Sequence, residues 1–388
     1  MSKIRELLKT WGPAWLVMIA DVDAASVITA AENGAVYGTK LIWFLLLLII
    51  PLFMVQEVAG RIGCVTGKGL GELIRENYTR RVAILAAVPM AGTDIISYII
   101  EYTGVAIGLL MFGIPPFISI PSTFVVHLML VYKRKYAQVE KPLMVVSVLL
   151  TLAYAANAYL TASRGIQFTP FYFSTSSEFL FLLAANVGAV IMPFMLFYQA
   201  SGTAEKCTPV KSLWAVRLET IVGALISELI MIAIEIAAVG VNGGSLNFAA
   251  PHALSGALSA VAGDFAPYIF GIGLVAASFI ALVVISLGSA WGVTEAMGWG
   301  RKNWFKVYLV ESLPALVIPL IALNLVNLAL SLMVLNLVVL IGPGLMLGLI
   351  SSNKKLMGTH SLKGFDRLGY WTFLILMLVS GILGLALA

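Results

Sequence analysis

The chain has 388 residues, of which 60% are hydrophobic and 11% are charged. Soluble domains carry about 25% charged residues, so the composition excludes an ordinary soluble enzyme and predicts one transmembrane domain that fills the chain. The net charge of +5 is explained below by membrane topology and does not indicate nucleic-acid binding, and the two cysteines, Cys64 and Cys207, cannot form a metal cluster.

Apolar segments long enough to cross a bilayer, which takes about 20 helical residues, recur along the whole chain. The eleven predicted spans are 12–37, 41–60, 82–113, 116–132, 142–162, 178–200, 212–240, 265–293, 305–323, 326–350 and 369–388. If the N-terminus is cytoplasmic, all but two of the 24 Lys and Arg residues fall in cytoplasmic segments, and only Lys40 and Arg164 lie outside. Because cytoplasmic loops are enriched in Lys and Arg, we predict a multi-pass cell (plasma) membrane protein with a cytoplasmic N-terminus and an external C-terminus.

The first span carries two carboxylates at its middle, Asp21 and Asp23. A charge at mid-membrane costs roughly 2.5–3.5 kcal/mol on insertion scales and is rare without a functional reason. We predict that Asp23 binds a substrate or ion; the alternative is a carboxylate neutralised by a neighbouring helix. Asp21 lies about 200° around a helix from Asp23, so both can face one site only if the helix unwinds.

The sixth span contains a second predicted break, at Pro193. Proline lacks an N–H and clashes with the preceding turn, so the carbonyls near Ala189 and Val190 lose their helical donors. Such carbonyls are tolerated at membrane depth where they line a cavity, and transporters with inverted repeats place two broken helices at the bilayer middle. Pairing span one with span six divides the single domain, residues 1–388, into repeat one (about 12–162), repeat two (about 178–350) and an extra helix (about 369–388).

Several motifs resemble the NRAMP divalent-metal transporters, whose hallmark is a D-P-G-N break within a GP…YG…LW frame. The frame here is GP at 12–13, NGAVYG at 33–38 and LIW at 41–43, and residues 23–26 read DAAS in place of D-P-G-N. The resemblance continues through TGKGLGELIRENY (66–78), EYTGVAIGLLMFGIP (101–115), GAVIMP (188–193) and SSNKKLMG (351–358). It implies an all-α, LeuT-like fold with eleven transmembrane helices, arranged as two inverted repeats of five plus one, and a transition-metal site built from the first and sixth helices.

The resemblance also implies a set of site residues. Asp23 matches the family's metal-binding aspartate, and Met192 matches its thioether ligand. Ala20 and Ala189 match positions that offer backbone carbonyls, and Ser26 stands where the family has asparagine.

Most groups that the family links to proton transport are replaced. Two sixth-helix histidines fall at Phe194 and Gln199, and a third-helix aspartate falls at Tyr98, although Glu101 holds its place. A glutamine of the eighth helix falls at Phe279. The pattern resembles the NRAMP-related branch that carries magnesium or other divalent ions without proton coupling. Any remaining proton route would run through carboxylates: Asp23, Glu101 and Glu228.

The residues themselves give opposing indications of the preferred ion. The thioether of Met192 suits Mn²⁺, Fe²⁺, Co²⁺ or Cd²⁺ and is a poor ligand for Mg²⁺. Ser26 is shorter than asparagine and leaves space for water, which suits Mg²⁺ because that ion dehydrates reluctantly. Ala24 and Ala25 favour continued helix, so we expect unwinding at Asp23 to depend on tertiary contacts.

Other polar residues also fall within the spans. Glu228 and Glu235 lie seven residues apart on one face of the seventh span. They are either a second cation or proton station, or a hydrogen-bonded pair facing a neighbouring helix. His127 is isolated, and we expect it to pack rather than bind metal. Glu57 lies one turn before Arg61, which predicts an ion pair.

These features predict a secondary transporter that moves a divalent cation such as Mn²⁺ or Mg²⁺ by alternating access, without proton coupling. We expect no enzymatic activity and no cofactor, because the metal ion is the transported substrate. We also expect the protein to lie in a lipid bilayer as a monomer. One alternative is a carrier of a small organic solute such as an amino acid, with Tyr98, Phe194 and Phe279 lining its pocket. A metal sensor without transport is the third class, for which the sequence offers no supporting feature.

Overall fold

The computed structural model describes residue 7 and residues 10–132, 136–169, 171–206, 210–241, 251–300, 303–320 and 325–387, in which every regular element is helical. The α-helices are α1 Pro13–Ala20, α2 Ala24–Tyr37, α3 Ile42–Thr66, α4 Leu70–Asn77, α5 Arg80–Leu110, α6 Pro116–Val131, α7 Tyr136–Ala162, α8 Ser177–Val190, α9 Pro193–Glu205, α10 Leu213–Ala237, α11 Pro251–Ala262, α12 Ala266–Met297, α13 Trp304–Ser312, α14 Leu325–Val339, α15 Ile341–Ser352, α16 Lys354–Met357 and α17 Gly364–Leu387. Short 3₁₀ turns lie at Val210–Ser212, Leu313–Leu316, Ile318–Leu320 and Gly358–His360.

The predicted break in the first span is present. Residues 21–23 separate α1 from α2, and the two helices are bent by 51° relative to each other. Asp23 is extended (φ −84°, ψ 178°), and its Oδ1 accepts the N–H of Ser26 at 2.7 Å. Asp23 is therefore the N-cap of α2, and Ala24 and Ala25 begin this new helix rather than continue the old one.

The sixth span is interrupted between α8 and α9, as Pro193 predicts. Ile191 and Met192 are both extended. The geometry of Met192 is expected, because the residue directly before a proline is biased away from helical geometry. Proline is tolerated in the first turn of a helix, where its missing N–H is not needed. In a continuous helix the N–H of residue 193 would bond to the Ala189 carbonyl, so the proline leaves that carbonyl without its helical donor.

Both breaks lie in the centre of the helix bundle. Residues 16–31 and 188–204 are all buried. The helix α10 packs against α1, α2 and α3, while α12 packs against α5 and α9. The predicted ion pair between Arg61 and Glu57 is present at 2.6 Å, and Arg217 of α10 joins the same carboxylate at 2.7 Å. The long helices α10 and α12 thus pack directly against the halves of the interrupted spans.

Nine crossings are supported in the described residues by helix length and composition: eight apolar helical segments, and the bent pair of α1 and α2. The predicted fourth span is α6, which has only 16 residues. The predicted ninth span is α13 followed by 3₁₀ turns that contain Pro314 and Pro319, and its residues 321–323 lie outside the described residues. The count of eleven and the orientation therefore stay predictions. Cys64 is buried in α3, whereas Cys207 lies outside the described residues.

Candidate metal-binding site

Asp23 has one carboxylate oxygen without a hydrogen-bond partner at the first-span break. The side chain is fully buried; Oδ1 accepts the Ser26 N–H, and Oδ2 has no partner. An unsatisfied buried polar atom costs about 1–3 kcal/mol, and carboxylate oxygens are common ligands of divalent cations. Asp23 thus has the geometry of a cation ligand, with one oxygen fixed by the helix cap and the other unengaged.

Ser26 connects the two broken spans. Its Oγ donates to the Ala189 carbonyl at 3.4 Å, a distance at the long end for a hydrogen bond. This is the carbonyl that loses its helical donor at Pro193. The contact brings three of the predicted ligands, Asp23, Ser26 and Ala189, into one buried region.

The Ala20 carbonyl loses its helical donor in a different way. In a continuous helix the Ala24 N–H would bond to Ala20. It donates instead to the carboxylate of Glu101, at 3.0 Å to Oε2 and 3.2 Å to Oε1. Glu101 lies on α5, 77 residues away in sequence, and is fully buried. The contact replaces a helical hydrogen bond and explains why the chain can break before two alanines.

Two thioethers lie at the break in the sixth span, where the sequence analysis singled out one. Met192 is the N-cap of α9, and its carbonyl oxygen accepts the N–H of Met195 at 3.1 Å. The Met192 N–H in turn donates to the Met195 sulfur at 3.3 Å. Thioether sulfur is a weak acceptor, so a soft metal ion would compete readily with the hydrogen bond to the Met195 sulfur. Met195 was missed because a methionine one turn along an apolar helix resembles ordinary core packing.

Tyr98 belongs to a hydrogen-bonded network on α5, α6 and α12. Its OH donates to Ser286 Oγ at 2.9 Å, and Ser286 donates its own proton to the Leu282 carbonyl at 2.6 Å. The Nε2 of His127 lies 2.9 Å from the same Ser286 Oγ and must donate to it, which leaves Nδ1 to accept from Tyr102 OH, also at 2.9 Å. His127 does more than pack: both of its ring nitrogens are engaged.

The remaining accessory residues occupy positions on α9 and α12. Phe194 is fully buried in the first turn of α9. Gln199 is buried further along that helix, and neither of its side-chain polar atoms has a hydrogen-bond partner. Phe279 lies beside His127, with ring centres 6.5 Å apart, and lines an apolar groove with Phe112. Within the described residues, only Glu101 among the predicted accessory residues hydrogen-bonds to the first-span break.

Two buried polar clusters were not predicted. Asn33 on α2 and Asn186 on α8 exchange amide hydrogen bonds at 2.8 and 2.9 Å. Ser289 on α12 donates to Glu311 on α13 at 3.1 Å, and the charge of Asp94 on α5 acts on the same carboxylate. The only sequence signal for either cluster is the presence of polar residues inside apolar spans.

No group of three or more His, Cys, Asp and Glu side chains in the described ranges could hold a metal ion. A divalent cation at the two breaks would therefore use a mixed set of donors. The available set is one carboxylate, one hydroxyl, two backbone carbonyls and thioether sulfur. Such a set combines oxygen donors, which suit Mg²⁺ and Mn²⁺, with a soft sulfur donor, which Mg²⁺ does not need.

The comparisons with known proteins identify the family and the fold. The family model described as "Nramp: Natural resistance-associated macrophage protein-like" matches residues 14–387. A relative from Verminephrobacter eiseniae, named as the divalent metal cation transporter MntH, is 29% identical over 251 residues. That match covers 60% of this chain and 56% of the relative, so the chain spans only about half the length of this relative.

Two solved structures show the same fold. The Eremococcus coleocola manganese transporter has a TM-score of 0.84 at 17% identity, covering 98% of this chain and 87% of that chain. MhsT, solved in complex with L-phenylalanine, has a TM-score of 0.60 at 15% identity, covering 100% and 99%. These matches confirm the predicted all-α, LeuT-like architecture. The MntH relative and the Eremococcus coleocola protein are both named as transporters, which agrees with the prediction that this chain is not an enzyme. Because the family model covers nearly the whole chain, this protein belongs to the Nramp family.

Proposed function

We propose that this chain is a secondary transporter of divalent metal cations such as Mn²⁺ or Mg²⁺, which bind where the first and sixth spans are interrupted. The observation that supports the proposal is Asp23 Oδ2, a fully buried carboxylate oxygen without a hydrogen-bond partner. This oxygen belongs to the N-cap residue of α2, where the first span becomes helical again. It is close to the Ser26–Ala189 contact between the two breaks. A relative is named as a divalent metal cation transporter, which agrees with this assignment.

Each proposed ligand replaces part of the ion's hydration shell with a donor of a different kind. Asp23 supplies negative charge, Ser26 a hydroxyl, Ala20 and Ala189 carbonyl oxygens, and Met192 sulfur. The carbonyl end of α1 carries the negative end of a helix dipole and also favours a cation. Alternating access would rock one helix bundle against the other around this fixed site.

We further propose that the flux is not coupled to protons. Tyr98, Phe194 and Gln199 do not titrate near neutral pH, and His127 is held in hydrogen bonds through both nitrogens. A divalent ion gains about 4.6 kcal/mol per 100 mV when it moves toward the negative side of a membrane. The membrane potential alone can therefore drive accumulation.

The proposal is tested by measuring the uptake of ions and amino acids into proteoliposomes whose membranes contain the purified protein. Wild type is offered Mn²⁺, Mg²⁺, Ca²⁺ and an amino-acid panel, and is compared with Asp23→Asn. Asp264→Asn is the matched control, because Asp264 is an exposed carboxylate outside the spans. We expect divalent uptake by wild type and the control, and none by Asp23→Asn.

Two outcomes would contradict this view. Unchanged divalent uptake in Asp23→Asn would remove Asp23 from the site. Uptake of an amino acid by wild type, with no flux of any divalent ion, would instead establish the alternative function of an organic-solute carrier.

A further inference from the structure

The seventh span is one helix, α10, that runs alongside both halves of the broken first span. Near its start, Glu219 accepts the N–H groups of Gly12 at 2.6 Å and Trp15 at 2.8 Å, where α1 begins. Toward its other end, Glu235 accepts the N–H of Leu41 at 3.2 Å, where α3 begins. Both carboxylates therefore have a structural role, because each satisfies peptide N–H groups at the start of a helix.

Two close contacts fix how α10 lies against the break. A Cβ atom at Gly223 would lie 2.8 Å from Cγ of Met18 on α1, and a Cβ atom at Gly34 on α2 would collide with the carbonyl oxygen of Glu235. The backbone of α10 thus touches the first span on both sides of its interruption. Glu228, which is midway between these two contacts, is level with the break.

A polar cluster occupies that level. Ser227 Oγ donates to Asp21 Oδ2 at 2.9 Å, while Asp21 Oδ1 has no hydrogen-bond partner. The Glu228 side chain is fully buried, and neither of its carboxylate oxygens has a partner. Asp21 and Glu228 interact electrostatically, and none of the ion pairs among the described residues involves either of them. Unlike Glu219 and Glu235, Glu228 therefore has no structural partner that explains its burial.

We infer that Asp21, Ser227 and Glu228 form a second cation site, which takes a hard divalent cation such as Mg²⁺. Its side-chain donors are two carboxylates and a hydroxyl, and oxygen donors are the ligands that Mg²⁺ and Ca²⁺ prefer. One divalent ion balances two buried negative charges, whereas one Na⁺ would leave a negative charge uncompensated in a medium where that is costly.

The second site is separate from the proposed transport site, although the two lie on neighbouring residues. Asp23 is held by Ser26 within α2, whereas Asp21 is held by Ser227 of α10. The second site lacks sulfur, while the transport site includes a thioether. The inference does not depend on the proposed function, because it concerns equilibrium binding by different side chains.

The test measures Mg²⁺ binding by isothermal titration to the full-length chain in lipid nanodiscs, at neutral pH. The background variant Asp23→Asn removes the charged ligand of the transport site. Into this background we would place Glu228→Gln, Ser227→Ala and, as a matched control, Glu235→Gln from the same helix. Gel filtration and thermal unfolding check that each variant is folded, and Ser227→Ala keeps the test decisive should Glu228→Gln fail to fold.

We expect the Asp23→Asn background and the Glu235→Gln control to bind about one Mg²⁺ per chain. Loss of an outer-shell partner alone typically costs about 10- to 100-fold in metal affinity. We therefore expect Ser227→Ala to weaken binding by at least about tenfold and Glu228→Gln to abolish it. The inference is overturned if Asp23→Asn alone removes all Mg²⁺ binding, if Glu228→Gln binds like the Glu235→Gln control, or if Na⁺ gives the same saturable signal as Mg²⁺. Failure of the proposed function looks different: wild type would show no divalent uptake while Glu228-dependent binding persists.

Discussion

The hydrogen bond from Ala24 N–H to Glu101 offers a direct test of how the break in the first span is maintained. Glu101→Gln removes the carboxylate charge but keeps a side-chain oxygen that can accept this hydrogen bond. Glu101→Ala removes both. Because the two variants share the loss of charge, the difference in their metal affinities isolates the effect of the hydrogen bond.

The size of that difference follows from the burial of the site. A buried N–H that loses its acceptor costs about 1–3 kcal/mol, which corresponds to roughly 5- to 150-fold in an equilibrium constant. In Glu101→Ala, the Ala24 N–H either stays unsatisfied or bonds to the Ala20 carbonyl and closes the break. Either outcome penalises the conformation that binds metal, so its apparent affinity falls by that factor.

The assay is Mn²⁺ titration of each variant in nanodiscs, with thermal unfolding measured in parallel. We expect Glu101→Ala to bind Mn²⁺ about 5- to 150-fold more weakly than Glu101→Gln. Glu235→Ala is the control, since it removes an acceptor for the Leu41 N–H at the start of α3, and no hydrogen bond in the described part of the chain joins Glu235 to Asp23. It should lower the unfolding temperature and leave Mn²⁺ affinity unchanged. Equal affinities for Glu101→Gln and Glu101→Ala would refute the reasoning and show that this hydrogen bond does not hold the break open.

Two further predictions concern ion preference and coupling. Met192→Ala should shift relative preference from soft toward hard divalent ions, because losing the thioether penalises Mn²⁺ and Cd²⁺ more than Mg²⁺. Inhibition of uptake by each ion in both proteins measures the shift, and an equal loss for all ions would mean that Met192 only packs. To test proton coupling, a pH-sensitive dye is placed inside the proteoliposomes. We expect its signal to stay constant while metal enters under an imposed membrane potential. Acidification that tracks metal uptake, and that disappears in Glu101→Gln, would show proton coupling after all.

Local sequence features were sufficient to locate the two breaks. A proline removes the donor for one identifiable carbonyl, so Pro193 points to Ala189 without any tertiary information. The carboxylate of Asp23 lies at mid-membrane, where a charge has a large free-energy cost, and this alone indicates a functional position. The alanines at 24 and 25 argued for continued helix, however, and here the sequence could not decide. The acceptor that satisfies the Ala24 N–H comes from Glu101, 77 residues away, and helix propensity carries no information about such a contact.

Periodicity identified shared helix faces but not the neighbours of those faces. Glu228 and Glu235 were paired because they lie two turns apart, yet they have different surroundings. Glu235 accepts a peptide N–H at the start of α3, whereas Glu228 follows Ser227, whose Oγ donates to Asp21. His127 was expected to pack because no other histidine is near it in sequence. Its actual partners, two hydroxyl groups, come from Tyr102 and from Ser286 on another helix.

The exchanged amide hydrogen bonds between Asn33 and Asn186 have a consequence for motion. Separating α2 from α8 would leave the buried amide groups without hydrogen-bond partners, at a free-energy cost of about 1–3 kcal/mol each. It would also break the contact between Ser26 and Ala189. We therefore expect the two half-helices to tilt together as one rigid body, with the non-helical residues between the halves of each span acting as hinges. A gate built from such a unit opens or closes in a single step. A cation bound at the proposed site would then be unable to escape past one displaced half-helix while the other remains closed.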